Sequence, residues 1–134
     1  MPESPPTDRE PALRTVAMPA DTNPNGDIFG GWLMAQMDLA GSVAAVRQAG
    51  GRVVTVAVEA MSFHRPVMVG DLVSCYARVV RVGRTSLRVE VDTWVERYAR
   101  SAVEKVTEGV FTYVAVDDAG RPRPVPTSSP AEST

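Results

Sequence analysis

Residues 32–46, WLMAQMDLAGSVAAV, constrain this chain more than any other segment. The run is rich in Ala, Leu and Met and reads as a helix. Apart from Gln36, Asp38 and Ser42, every residue in it is apolar or small. An amphipathic helix shows one apolar stripe; this one is apolar nearly all round and has to be covered on most sides. It runs out near Gly50 and Gly51, with Arg47 in the last turn, where the helix dipole favours a cation.

The cover has to come from the rest of the chain. Val53 to Phe63, Asp71 to Val82, Thr85 to Tyr98 and Lys105 to Val116 alternate with period two and are rich in Val, the pattern of strands. Leu13 to Met18 reads as a short first strand. Residues 19–31 (PADTNPNGDIFGG) are dense in Pro, Asn, Asp and Gly and predict a structured loop. Strand, helix, then four long strands with short connections predicts an α+β fold, an antiparallel sheet wrapped around one central buried helix. The strands are longer than the usual five or six residues, and long open edges invite pairing with a second copy.

A chain of 134 residues suits one domain, and the fold is expected over residues 12–118. Residues 1–11, with Pro2, Pro5, Pro6 and Pro11, predict a flexible arm. Residues 119–134, which open with Gly120, Arg121, Pro122, Arg123, Pro124, Val125 and Pro126, predict a flexible tail. The N-terminal stretch lacks the basic and apolar regions of a secretory signal, no apolar run is long enough to span a bilayer, and Cys75 is the only cysteine. A cytoplasmic protein without stable membrane association is expected. One Cys and one His argue against a transition-metal site. A net charge of −2, and basic residues without an aromatic platform, argue against nucleic acid.

Three features bear on chemistry. Asp38 sits in mid-helix, where Asp has poor propensity and caps nothing. It is either a structural carboxylate bonded to a nearby loop or a general base or nucleophile in a dry site. Before the helix comes Asp21-Thr22-Asn23-Pro24-Asn25-Gly26-Asp27-Ile28-Phe29-Gly30-Gly31. Glycines at 30 and 31 are either a tight turn or a place where free helix-start amides meet a developing oxyanion. At 1.5 Å per residue, Gly31 and Asp38 stand about 10 Å apart along the helix, too far to serve one carbonyl carbon. Joint action demands that Asp38 come from one subunit and the amide from its partner. The third feature is basic: Arg65, Arg78, Arg81, Arg84 and Arg88, with His64 alongside. Arg84, in the turn Val82-Gly83-Arg84-Thr85-Ser86, could meet phosphate oxygens; Arg78 and Arg88 read as solvated strand positions. Cys75, inside a predicted strand, reads as an inert buried thiol.

Several of these residues fall into a known pattern. Leu13 to Asn23, Asn25 to Trp32, Gln36-Met37-Asp38, Gly51 to Glu59, Val82 to Ser86 and Val110 to Asp117 together closely resemble the YciA-type acyl-CoA thioesterases, in order and over nearly all of the expected domain. The resemblance implies a hotdog fold, a homodimer as the catalytic unit and assembly as a trimer of dimers. It implies hydrolysis of acyl-CoA to a free acid and coenzyme A, broad in acyl chain, with no cofactor because coenzyme A belongs to the substrate. The catalytic aspartate falls on Asp38 and the oxyanion amide on Gly31 or its neighbour. Asn25 and Asp27 join the catalytic loop, Asp27 standing where related thioesterases carry Asn. Gly30, Thr55, Glu59, His64, Arg65, Gly83, Arg84, Thr85 and Ser86 are expected against the substrate, with Arg65, Arg84 and Ser86 on the nucleotide and phosphate end. His64-Arg65-Pro66 departs from the family's aliphatic residue and Lys before this Pro, while keeping the charge.

Overall fold

A computed structural model describes residues 4–126. Five strands, β1 (Leu13–Val16), β2 (Val53–Phe63), β3 (Leu72–Val82), β4 (Ser86–Glu96) and β5 (Val103–Ala115), form one sheet in the order β1-β3-β4-β5-β2. Every neighbouring pair is antiparallel. The single long helix, α1 (Gly30–Ala49), packs against β2, β3, β4 and β5. This is the expected α+β hotdog arrangement. The helix starts two residues and ends three residues beyond the predicted run. Gly50 stops it: its φ of 72° is left-handed, and its N–H closes the last turn on the Val46 carbonyl at 2.8 Å.

One face of α1, through Leu33, Met37, Ala40, Gly41, Ala45 and Ala49, is buried against the sheet. There it meets Val73, Cys75, Leu87, Val89, Val91, Phe111 and Tyr113. The opposite face leaves Leu39 and Val46 exposed, so a single chain covers only part of a helix that is apolar on most sides. The strand β2 is bare in the same way. It forms one edge of the sheet and exposes Val54, Val56, Val58 and Phe63.

Two irregularities set which residues of β2 face the helix. Thr55 stands opposite Tyr113, but the next matched residue, Ala57, stands opposite Thr112, so one extra residue is taken up. A second shift lies between Glu59 and Ser62 and contains Ala60, whose φ of 52° is left-handed for a residue with a side chain. Opposed residues share a face, so each bulge moves the following residues of β2 to the other side.

Ordered structure extends past the expected boundary at 118. The chain folds back after β5: the Arg123 N–H bonds the Ala115 carbonyl, the Val125 N–H bonds the Arg84 carbonyl, and the Val125 side chain joins the core. Backbone hydrogen bonds and one buried aliphatic side chain therefore place residues 119–126 against the rest of the fold. Residues 127–134 lie outside the described residues. At the other end, the Ala12 N–H bonds the Cys75 carbonyl and Pro5 lies against the sheet face beside Trp94. Of the expected arm, residues 1–3 lie outside the described residues.

Candidate active site

Asp38 lies half-buried on α1 above the junction of β2 and β5. Two hydroxyls hold its carboxylate at the same oxygen. The Thr55 Oγ1 donates to Oδ1 at 2.7 Å, and the Tyr113 hydroxyl lies 3.0 Å from Oδ1 and 2.9 Å from the Asp38 carbonyl oxygen. Oδ2 has no hydrogen-bond partner among the described residues. Tyr113 reaches this position because position 41, one turn on, is glycine. A Cβ there would overlap the phenol, coming within 3.1 Å of Cζ and 3.2 Å of Cε2, with the hydroxyl closer still. Burial, and then the Asp38 charge, hold the Tyr113 hydroxyl far above its ordinary pKa, so it remains a donor throughout the working pH range.

The loop before α1 builds a second group. The Phe29 N–H bonds the Asp21 carbonyl, and the Ile28 N–H bonds the Val67 carbonyl. Phe29 occupies the N-cap position, and no side chain caps the helix, so its first amides, at Gly30 and Gly31, have no partner within it. A cleft of about 290 Å³ opens at Gly30, lined also by Asn23, Asp27, Leu33, Phe63, His64 and Arg65 among others. Phe63 lies close over Gly30: a Cβ at Gly30 would touch its ring at 3.5 Å. His64 stands 3.5 Å from Glu108, and Arg65 stands 4.0 Å from Glu104. A neighbouring cleft of about 410 Å³ shares Arg65 and Pro66 and runs under Met68, Tyr98 and Arg100. In the wall of the larger cleft, Arg97 clamps the chain: its Nη1 donates to the Pro66 carbonyl at 2.8 Å and to Asp71 Oδ2 at 2.7 Å, and its Nε donates to Glu104 at 2.8 Å.

The third group is the turn between β3 and β4. The Gly83 N–H bonds the Ser86 carbonyl at 2.7 Å, and the Arg84 and Thr85 carbonyls accept from Val125 and Ala115. Arg84 is exposed, and Thr85 and Ser86 are partly so. The register places this turn at the Asp38 end of the sheet: Ser86 stands opposite Val114, the neighbour of Tyr113. Phe63 and the cleft lie at the other end, opposite Thr107.

A single chain therefore gathers the expected residues into two groups at opposite ends. Asp38, Thr55 and the turn from Gly83 to Ser86 occupy one end. Asp27, Gly30, Gly31, His64 and Arg65 occupy the other, with Asn25 exposed on the same loop, its N–H bonded to Asn23 Oδ1. Thr55 bonds Asp38 directly. Glu59 joins neither group: the first bulge puts it opposite Val110 on the sheet face turned away from α1, where it forms an ion pair with Arg88. Two residues absent from the expected set stand beside its members. Asn23 lines the cleft beside Asp27, and Tyr113 bonds Asp38. The signal for Tyr113 was a polar aromatic at an inward position of β5 facing a helical glycine, a pairing that only the register reveals.

Comparison with known proteins bears on what such an arrangement is. Residues 25–101 match the family model described as the thioesterase superfamily, more than half of the chain. The chain belongs to the thioesterase superfamily. Within it the chain falls among the YciA-type members. It is 58% identical over 120 residues to the acyl-CoA thioester hydrolase YciA of Salmonella typhimurium, covering 87% of this chain and 90% of that one. An uncharacterized acyl-CoA thioester hydrolase of Haemophilus influenzae is 54% identical over 117 residues, covering 85% and 76% of the two chains. Among solved thioesterase structures, a hexameric hotdog fold thioesterase of Campylobacter jejuni superposes with a TM-score of 0.86 at 44% identity, over 90% of this chain and 93% of the other. A hexameric thioesterase from Yersinia pestis gives 0.84 at 55%, over 89% and 97%.

Proposed function

We propose that this protein hydrolyses acyl-CoA thioesters, broadly in acyl chain, in an active site completed between two subunits. The observation that carries the reading is the separation of the half-sites. A carboxylate held by two hydroxyls stands at one end of the chain, and an uncapped helix start facing a cleft stands at the other. A two-fold axis that pairs the bare β2 edges antiparallel sets one end of each chain against the opposite end of its partner. It also covers Val54, Val56 and Val58.

In that dimer the thioester carbonyl oxygen lies against the Gly31 amide of the partner subunit, which stabilises the oxyanion as it forms. Asp38 acts at the carbonyl carbon with its unpartnered Oδ2. As a base it takes a proton from water, whose oxygen adds to the carbon; the C–S bond then breaks and the proton passes to the departing thiolate. As a nucleophile, Oδ2 adds itself, the C–S bond breaks to release the thiolate, and water then cleaves the mixed anhydride, its proton passing to the thiolate. Both routes yield the acid and coenzyme A. The thiol is a good leaving group, with an ordinary pKa of roughly 8.5. Arg84, Thr85 and Ser86 in the turn, and Arg65 and His64 at the cleft, take the phosphate and nucleotide end. Asp27 and Asn23 order the loop around the reacting carbonyl.

The hexameric state of related thioesterases supports assembly as a trimer of such dimers. Among the described residues no helix is long and apolar enough to cross a membrane.

The test is release of free coenzyme A thiol from a panel of short to long acyl-CoAs. Turnover that collapses in an Asp38→Ala variant of unchanged oligomeric state is expected. No turnover on any chain length, with coenzyme A still bound, would make the protein an acyl-CoA-binding module instead.

A further inference from the structure

We propose that Tyr113 is a positioning residue for Asp38: its hydroxyl, admitted by the missing side chain at Gly41, fixes the carboxylate so that Oδ2 alone faces the substrate. The inference rests on the hydrolase reading above and adds a residue to it.

A half-exposed Asp on a helix has several rotamers available, and water competes for both oxygens. Here one phenolic proton is shared between the Asp38 carbonyl and Oδ1, at 2.9 and 3.0 Å, so the side chain is tied to the backbone of its own residue. Thr55 approaches the same Oδ1 from β2 at 2.7 Å. The described residues give Asp38 these two hydroxyl partners and no ion pair. The phenol itself cannot wander. Tyr113 is fully buried, its ring stacks at 6.4 Å on Phe111, and the helix passes directly over it.

Gly41 is the second observation. Glycine inside a helix costs about 1 kcal/mol relative to alanine and is not expected in the middle of a twenty-residue helix without a reason. Its backbone here is ordinary helix; what position 41 requires is space, and the atoms that occupy the space are the hydroxyl, Cζ and Cε2 of Tyr113. The helix gives up propensity to let that phenol through. Because burial and the Asp38 charge keep Tyr113 protonated, it donates at every pH at which the enzyme works, and it adds no ionisation of its own to the rate profile.

The experiment compares kcat, KM and the pH–rate profile of wild type, Tyr113→Phe, Gly41→Ala and the double variant, with Asp38→Asn as reference. Loss of a hydrogen bond to a charged group predicts a fall in kcat of about tenfold to a hundredfold in Tyr113→Phe, with KM unchanged. Gly41→Ala should lower kcat comparably in wild type but by much less in the Tyr113→Phe background, where no hydroxyl remains to displace. An unchanged kcat in Tyr113→Phe, while Asp38→Asn is inactive, would overturn this inference and leave the hydrolase reading standing. Full turnover in Asp38→Asn would overturn the role of Asp38, and this inference with it, and would leave the hydrolysis itself standing.

Discussion

Replacing Asp71 tests whether the segment that lines the cleft is held from behind. Asp71 is 1% exposed and accepts three hydrogen bonds: from Arg97 Nη1 at 2.7 Å, the Met68 N–H at 2.9 Å and the Tyr98 N–H at 3.2 Å. Asp71→Ala leaves the guanidinium of a buried Arg97 without its nearest counter-charge. Removing one member of a buried ion pair costs about 3–5 kcal/mol. Arg97 keeps Glu104 at 2.8 Å, and the Met68 and Tyr98 amides lie in exposed loops where water replaces the lost acceptor. Both facts place the expected loss at the low end, about 3 kcal/mol. That is a large share of the stability of an ordinary domain, about 5–15 kcal/mol. The assay is equilibrium unfolding in urea at fixed subunit concentration, since association contributes to apparent stability. A second readout follows from Arg97 also holding the Pro66 carbonyl at 2.8 Å. With its anchor gone, His64-Arg65-Pro66 loosens and KM for acyl-CoA rises at temperatures well below unfolding. A loss below about 1 kcal/mol with an unchanged urea slope would refute the buried-pair argument.

Two further outcomes follow from the charges and the lone thiol. Hydrogen bonding from Lys105 holds the Glu108 carboxylate below its ordinary range, with His64 contributing. A carboxyl group whose pKa is lowered by folding contributes stability above its unfolded value and loses it as the pH falls through the lowered one. Wild type should therefore melt above Glu108→Gln at neutral pH, and the two melting temperatures should converge in acid; a gap that stays constant with pH would contradict the pairing. Burial pushes the Cys75 thiol up to about 11. The native protein should give no signal with a chromogenic disulfide reagent at pH 8 until it unfolds, so the reagent reports coenzyme A alone; prompt labelling of the folded protein would show that β3 opens.

The elements were legible because each is long and strongly patterned. The apolar run from Trp32 to Val46 marked the central helix, and the predicted bounds of β2 are those observed. Distances along a helix are fixed, so spacing alone put Gly31 and Asp38 too far apart to serve one carbonyl carbon within a single chain. Faces within β2 were not legible. Strict alternation from Thr55 would put Glu59 on the helix side, and the extra residue between Thr55 and Ala57 puts it on the other. The Tyr113 contact escaped for a related reason: it depends on the register between β5 and β2 and on a gap at Gly41. Residues 119–126 have the composition of a free segment, while backbone bonds and Val125 place them against the sheet.

The two interruptions in β2 make its edge keyed. A plain edge strand accepts any neighbour of suitable polarity, at any register that differs by two residues. An edge that takes up one extra residue after Thr55, and another at the left-handed Ala60, offers its carbonyls and amides in three short phases. A strand docking along its whole length has to break phase at matching points. Another copy of the same strand, turned end for end, carries the same interruptions in mirrored order. Strands of foreign proteins, and misaligned copies of β2 itself, satisfy one phase and lose the others. In the proposed dimer, pairing of two β2 edges is thereby selected by backbone spacing as well as by the apolar side chains along the edge.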